Sequence, residues 1–170
     1  MITANGGAVY SVREGKRVYQ CLLEKESVEA AIAVRKRENM VLEVVIDGVP
    51  YAEEAYVKDP IQYLATEYGA KYIKATRKPV KDICRFAQKH AEELDSISFV
   101  CRYEDKERLY TSLDKEIPNI YVTSSVPNLM EVGHIDAGKG KTLLWLFEKI
   151  GDFNRGSNGF LEMRIMISVC

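Results

Sequence analysis

EVGHIDAGKGKTLLWLFEKI, residues Glu131 to Ile150, runs from a strand through a glycine-rich turn into a helix. The β-rich run Asn128 to Val132 leads in. The turn holds Lys139 between Gly138 and Gly140. Leu143, Leu144, Leu146, Phe147 and Ile150 then recur at helical spacing as one apolar stripe. Glycines flanking a lysine at a helix start let backbone N–H groups and an ammonium converge on an anion. Lys139 is the candidate charged group, and Gly138 and Gly140 are its candidate backbone frame. A solvated lysine at a helix N-terminus is the competing reading of the same residues.

Gly140-Lys141-Thr142 also matches the end of a nucleotide-binding phosphate loop. That motif requires a glycine five residues before its second glycine, and Ile135 stands there. Gly133 is two places too early. A nucleotide binder of this type is therefore the disfavoured alternative.

The rest of the chain sets limits. At 170 residues it can bury a real core. A net charge of −1 gives no electrostatic basis for binding nucleic acid or a membrane surface. Cys21, Cys84, Cys101 and Cys170 form no CxxC pair, which suits reduced, mostly structural thiols. No signal peptide or long apolar run is visible, so a soluble cytoplasmic protein is expected.

In chain order, Ala8–Ser11 and Arg17–Leu23 read as a hairpin around Arg13-Glu14-Gly15-Lys16. Ser27–Glu38 reads as a helix whose basic end, Arg35-Lys36-Arg37, is expected to be solvated. Val41–Ile46 and Val49–Ala52 flank an Asp47-Gly48 turn and predict a second hairpin. A short helix is expected from Asp59-Pro60 to Tyr68, ended by Gly69. Lys71–Arg77 reads as basic and partly extended. Val80–Glu93 reads as a helix with Ile83, Cys84, Phe86 and Ala87 inward, and His90 near its end. Ser96–Arg102 predicts a strand, Asp105–Glu116 a helix, and Asn119–Ser124 and Asn128–Val132 two strands joined by Ser125-Val126-Pro127. Strand pairs followed by alternating helices and strands, without a repeat, indicate an α+β fold: an antiparallel sheet with helices on one face. His134, at a strand end beside Asp136, is read as a surface or packed residue rather than an acid or base.

Two segments carry a family resemblance. Leu129-Met130-Glu131-Val132, the eight-residue step to Lys139, Gly140 and the apolar helix resemble a signature of the Cof-type (class IIB, C2-capped) phosphatases of the haloacid dehalogenase (HAD) superfamily. Met1–Tyr10, MITANGGAVY, resembles that family's passage from catalytic core to cap. Thr3, Ala4, Asn5 and Gly6 match, and Gly7 replaces the usual alanine. The resemblance implies a C2-type cap plus part of an α/β Rossmann-like core. It divides the chain into residues 1–7 (core remnant and hinge), 8–126 (cap) and 127–170 (return to the core remnant, with an aberrant tail). Ser125 to Asn128 would lie near the return.

Members of this family are Mg²⁺-dependent phosphatases of small phosphorylated metabolites such as sugar phosphates and nucleotides. An aspartate attacks phosphorus, a second aspartate is the acid and base, and a third-motif lysine offsets charge. Lys139 takes the lysine role by this resemblance. Asn5, Gly6, Gly138 and Gly140 become substrate-side residues. A closing cap selects the substrate.

The departures are equally specific. No Asp-x-Asp-Gly-Thr occurs in the sequence. VVIDGV resembles the second half of that motif, but the attacking carboxylate would fall on Val45, so Asp47 is read as a turn residue. The metal-binding GD-x-x-ND is missing after Gly151-Asp152. An inactive cap that binds no Mg²⁺ on its own is therefore expected, with a non-catalytic phosphometabolite-binding module as the alternative. Alternation from Leu161 to Val169 predicts a strand in the tail. Back-translated with chosen codons and two single-base deletions, the tail reads ISIEEVMAFGDEDNDISM, so a frameshifted fourth motif is a second expectation there. DNA sequencing tests it. An uncovered core remnant is expected to drive self-association.

Overall fold

The computed structural model describes residues 1–150, so both expectations for the tail lie outside the described residues. A small antiparallel sheet is built from β1 (Ile2–Thr3), β2 (Ala8–Ser11) and β3 (Lys16–Gln20). The remaining strands are β4 (Val41–Ile46), β5 (Val49–Glu53), β6 (Lys78–Val80), β7 (Leu94–Val100), β8 (Ile120–Thr123) and β9 (Leu129–His134). They form one sheet in the order β6-β5-β4-β7-β9-β8, antiparallel except for the β5–β6 pair. The helices are α1 (Lys25–Glu38), α2 (Glu54–Lys58), α3 (Glu67–Thr76), α4 (Ile83–Lys89), α5 (Lys106–Glu116) and α6 (Lys139–Ile150). The chain is thus α+β.

Register explains the core. Leu42 faces Phe99 and Val44 faces Ile97 across β4–β7, while Phe99 faces Met130 and Ile97 faces Val132 across β7–β9. Successive strand residues point to opposite faces, so these six line one side. Val28, Ala31, Ile32 and Val34 of α1, Ile83, Cys84 and Ala87 of α4, and Leu109 and Leu113 of α5 close over them. The opposite face carries a smaller cluster, where Tyr56 of α2 and Ile73 of α3 cover Ala52 and Val100. The β4–β5 turn has Asp47 at φ 49° and Gly48 at φ 72°, the doubly left-handed geometry that an Asp-Gly pair supplies.

Three local expectations are corrected. The Asp59–Tyr68 helix is only a 3₁₀ turn over Pro60–Tyr63, which ends at a left-handed Leu64. Lys71–Arg77 belongs to α3, because the Thr66 hydroxyl accepts the Gly69 N–H and caps a new helix. Gly69 therefore lies inside that helix. The single helix expected over Val80–Glu93 shortens to α4, because Lys78–Val80 pairs with β5 and Asp82 caps at the Arg85 N–H. His90 takes the C-cap position of α4, stacked on Phe86.

Charge is more organised than a solvated helix end implies. Arg35 donates to both Glu53 oxygens, at 3.0 and 3.1 Å. Arg37 bridges to Glu116 at 2.6 Å, tying α1 to α5. That guanidinium, with help from the Ser112 hydroxyl, holds the Glu116 carboxyl down at about 2. A carboxyl lowered on folding contributes stability that is present above its unfolded pKa and is lost as pH falls toward the folded value. Thermal melts should therefore lose stability between the ordinary carboxyl range and pH 2. Arg37→Gln should flatten that fall, and an unchanged acid profile in the variant would refute the assignment.

Candidate functional site

The two segments singled out by sequence meet in space. After β1, Ala4–Gly6 forms a tight turn with Ala4, Asn5 and Gly6 all at positive φ. Gly6, at φ +105°, lies flat against the peptide joining Gly138 to Lys139. A Cβ there would stand 2.4 Å from the Gly138 carbonyl carbon and 2.7 Å from the Lys139 nitrogen. This is the close backbone approach that only glycine permits. The contact is fastened by Thr142, whose side chain is fully buried and whose hydroxyl donates to the Gly6 carbonyl at 2.6 Å. The turn is also tied to the large sheet. Asn5 Nδ2 donates to Glu131 Oε1 at 3.2 Å, and the Tyr121 hydroxyl lies 3.4 Å from the Asn5 carbonyl.

Thr142 was missed as a positioning residue. Its signal was a small hydroxyl on the first turn of an otherwise apolar helix. Its burial also bears on the phosphate-loop alternative, because a hydroxyl committed to Gly6 is not presented to a nucleotide's metal. Lys141 is likewise engaged, 3.0 Å from Asp136 Oδ1. Lys139 is exposed and makes no hydrogen bond or ion pair among the described residues. Gly140 opens on free space. Asn5, Gly6, Gly138 and Lys139 are thus brought to one place by backbone packing, with Gly140 beside them at the start of α6. The α6 stripe is only partly inward: Leu143, Leu146 and Phe147 are half-buried and Leu144 is exposed, while Trp145 stacks on Tyr19 with ring centroids 4.6 Å apart.

A second cluster lies behind this turn. Arg17 of β3 reaches Asp47 at 2.7 Å and the wholly buried Asp95 at 3.0 Å. Asp95 also accepts the Gly48 N–H at 2.8 Å. Burial is the main cause that raises the Asp95 carboxyl. The Tyr10 hydroxyl, donating to Asp47, is pushed up to about 12 by burial and by that carboxylate. These contacts fix the small sheet to the β4–β5 turn, and Asp47 serves there as a turn residue.

A haloacid dehalogenase-like hydrolase family model matches residues 1–152, and the chain belongs to that family. Its fold is that of the Cof-type, subclass IIB members. A Thermotoga maritima protein superposes with a TM-score of 0.66 at 22% identity, over 86% of this chain and 52% of that one. A haloacid dehalogenase-like hydrolase from Bacteroides thetaiotaomicron gives 0.68 at 19%, over 86% and 52%. A subclass IIB sugar phosphatase gives 0.61 at 13%, over 86% and 51%. The chain therefore spans about half the length of the solved structures it matches. A comparison with curated proteins finds no match.

Among the described residues, no group of three or more histidine, cysteine, aspartate or glutamate side chains is arranged to hold a metal ion. These residues do not by themselves fit the family's Mg²⁺. No described helix is long and apolar enough to cross a membrane. β8 and β9 pair antiparallel over Ile120–Thr123 and Glu131–His134.

Proposed function

We propose that the six-stranded sheet and its helices form the substrate-selecting lid of a phosphatase acting on small phosphorylated metabolites, sugar phosphates among them. The observation that carries this reading is the approach of Gly6 to the Gly138–Lys139 peptide. The chain enters the lid and leaves it at one point, and at that point stands the Lys139 ammonium, which has no partner among the described residues. Family membership and the fold of a sugar phosphatase support the same assignment.

The chemistry divides accordingly. Lys139 would stand beside the phosphoryl group and offset its negative charge, with help from the N-terminal end of the α6 dipole. The lid excludes water and chooses the group esterified to phosphate. The attacking carboxylate is not among these 170 residues, since Val45 occupies the one partial match. The polypeptide should bind phosphorylated metabolites without hydrolysing them. In a family that uses Mg²⁺, carboxylates outside the described residues would hold the metal.

Calorimetry of the 170-residue chain against a sugar-phosphate panel tests this reading. Lys139→Ala should weaken binding by roughly 10–100-fold, the loss of a charge-assisted hydrogen bond. Equal affinity in the variant would remove Lys139 from the site. Steady hydrolysis of an aryl phosphate above the buffer rate would overturn the division of labour. A stand-alone binding module is the second reading, favoured by an exposed Lys139 that is unpaired among the described residues. It predicts micromolar binding that no added catalytic core converts into turnover. We further place the chain in the cytoplasm, as a self-associating species. Leu144 on α6 is 59% exposed, and sedimentation should show a dimer or larger assembly.

A further inference from the structure

Cys21, His134 and Glu24 come together just outside the Gly6–Gly138 contact, and the proposed function uses none of them. Cys21 follows β3, and its Sγ lies 3.3 Å from Nδ1 of His134 at the end of β9. The Asp136 N–H also donates to that nitrogen, at 3.1 Å. An amide can only donate, so Nδ1 is the acceptor nitrogen of the neutral ring and the ring proton sits on Nε2. Nε2 lies 3.5 Å from Glu24 Oε1, and the other Glu24 oxygen is held by Asn119 Nδ2 at 2.7 Å. A thiol, the basic nitrogen of an imidazole and a carboxylate behind the ring thus stand in the order of an activated nucleophile, with an amide orienting the carboxylate.

We propose that Cys21 is a thiol-modification site that exchanges with low-molecular-weight disulfides, with His134 as its base and Glu24 positioning the ring. His134 Nδ1 takes the proton from Cys21 Sγ. The sulfur's electron pair attacks one sulfur of the disulfide R–S–S–R, the S–S bond breaks, and the departing thiolate takes the proton from His134. The balance is Cys21–SH plus RSSR to Cys21–SSR plus RSH: Cys21 is oxidised and the released sulfur is reduced. No further oxidant is required.

The surroundings explain why a base is needed. Burial pushes the Cys21 thiol up, so it rests protonated at neutral pH. The charged and titratable groups facing the pair are Tyr19 on β3, which hydrogen-bonds the sulfur, Tyr121 on β8, Glu24 ahead of α1, Asp136 in the turn and Lys141 on α6. Cys84 and Cys101 are buried and hydrogen-bond to no such base among the described residues, so they are internal controls. Protonation of Nδ1 also removes the acceptor of the Asp136 N–H. The site stands without the phosphatase reading.

The full chain is treated with oxidised glutathione at pH 7, and adducts are timed by intact mass and assigned by peptide mapping, which separates Cys170. Cys21 should be modified at least about tenfold faster than Cys84 and Cys101, the contrast between an assisted and an inert thiol. His134→Asn keeps an acceptor for the Asp136 N–H but takes no proton. It should slow Cys21 about 100-fold, the lower end of what a positioned base contributes. Glu24→Gln, at an exposed position, should slow the reaction severalfold without unfolding the chain, which keeps the test informative if His134→Asn does not fold. Parity of Cys21 with the buried thiols, or a Cys21 rate unchanged in His134→Asn, would overturn the proposal.

Discussion

Glu43→Ala should lower the free energy of unfolding by about 3–5 kcal/mol, the range found when one partner of a buried ion pair is removed. Glu43 sits in β4 on the sheet face opposite the main core. Its side chain is 4% exposed, and that of Arg77 is 13% exposed. Arg77 binds it through Nε at 3.2 Å and Nη2 at 2.9 Å, and also lies over the Tyr72 ring, 4.9 Å from its centroid. Tyr56 hydrogen-bonds Glu43 as well; burial, and then this carboxylate, raise its hydroxyl. Truncation leaves a guanidinium in a site too dry to solvate it. The loss therefore exceeds the net worth of the pair, because most of it is the unmet charge. Replacing both residues together, Glu43→Met with Arg77→Leu, should recover most of the stability. Urea unfolding with an unchanged slope is the measurement. A loss below about 1 kcal/mol would mean that water reaches Arg77, as it does in exposed pairs.

Gly6→Ala is the second large effect, and it acts at the candidate site. An added Cβ meets backbone atoms of Gly138 and Lys139 at 2.4 to 2.7 Å, and φ +105° is strained for any L-side chain. Backbone cannot rotate away as a flexible side chain can. The β1 turn and the start of α6 must therefore separate, breaking the Thr142 bond to the Gly6 carbonyl. Strain and overpacking together should cost about 2–5 kcal/mol. Thr142→Val, which keeps the shape and deletes the hydroxyl, should cost about 1–3 kcal/mol by leaving that carbonyl unsatisfied. If the proposed function holds, Gly6→Ala should also abolish binding of phosphorylated metabolites under conditions where Thr142→Val only weakens it. A Gly6→Ala protein with wild-type stability would show that the close approach is not retained in solution.

Much of the large sheet and its helices is legible in the sequence because its signals are local. The Asp47-Gly48 hairpin, α1 and α5 follow from turn chemistry and apolar spacing within a few residues. The region from Asp59 to Lys89 was not. There, capping by Thr66 and Asp82 competes with glycine and proline as boundary marks, and the pairing of Lys78–Val80 with β5 depends on a strand more than twenty residues away in sequence. The basic triplet at the end of α1 is solvent-facing at Lys36 and Arg37 as expected, but the ion pairs of Arg35 with Glu53 and of Arg37 with Glu116 depend on residues that reach it only through the fold.

By itself the sequence determined the α+β class, the family signatures at Thr3–Gly6 and Leu129–Gly140, and the absence of an Asp-x-Asp-Gly-Thr. These are matters of residue type and spacing along one chain. Only the tertiary structure decided that Gly6 touches Gly138, that Thr142 fastens the contact, that Arg77 neutralises Glu43, and that Cys21 faces His134. Each pair is distant in sequence. What joins them is burial, which makes an unpartnered carbonyl, charge or thiol costly and so selects the one packing in which each finds its partner.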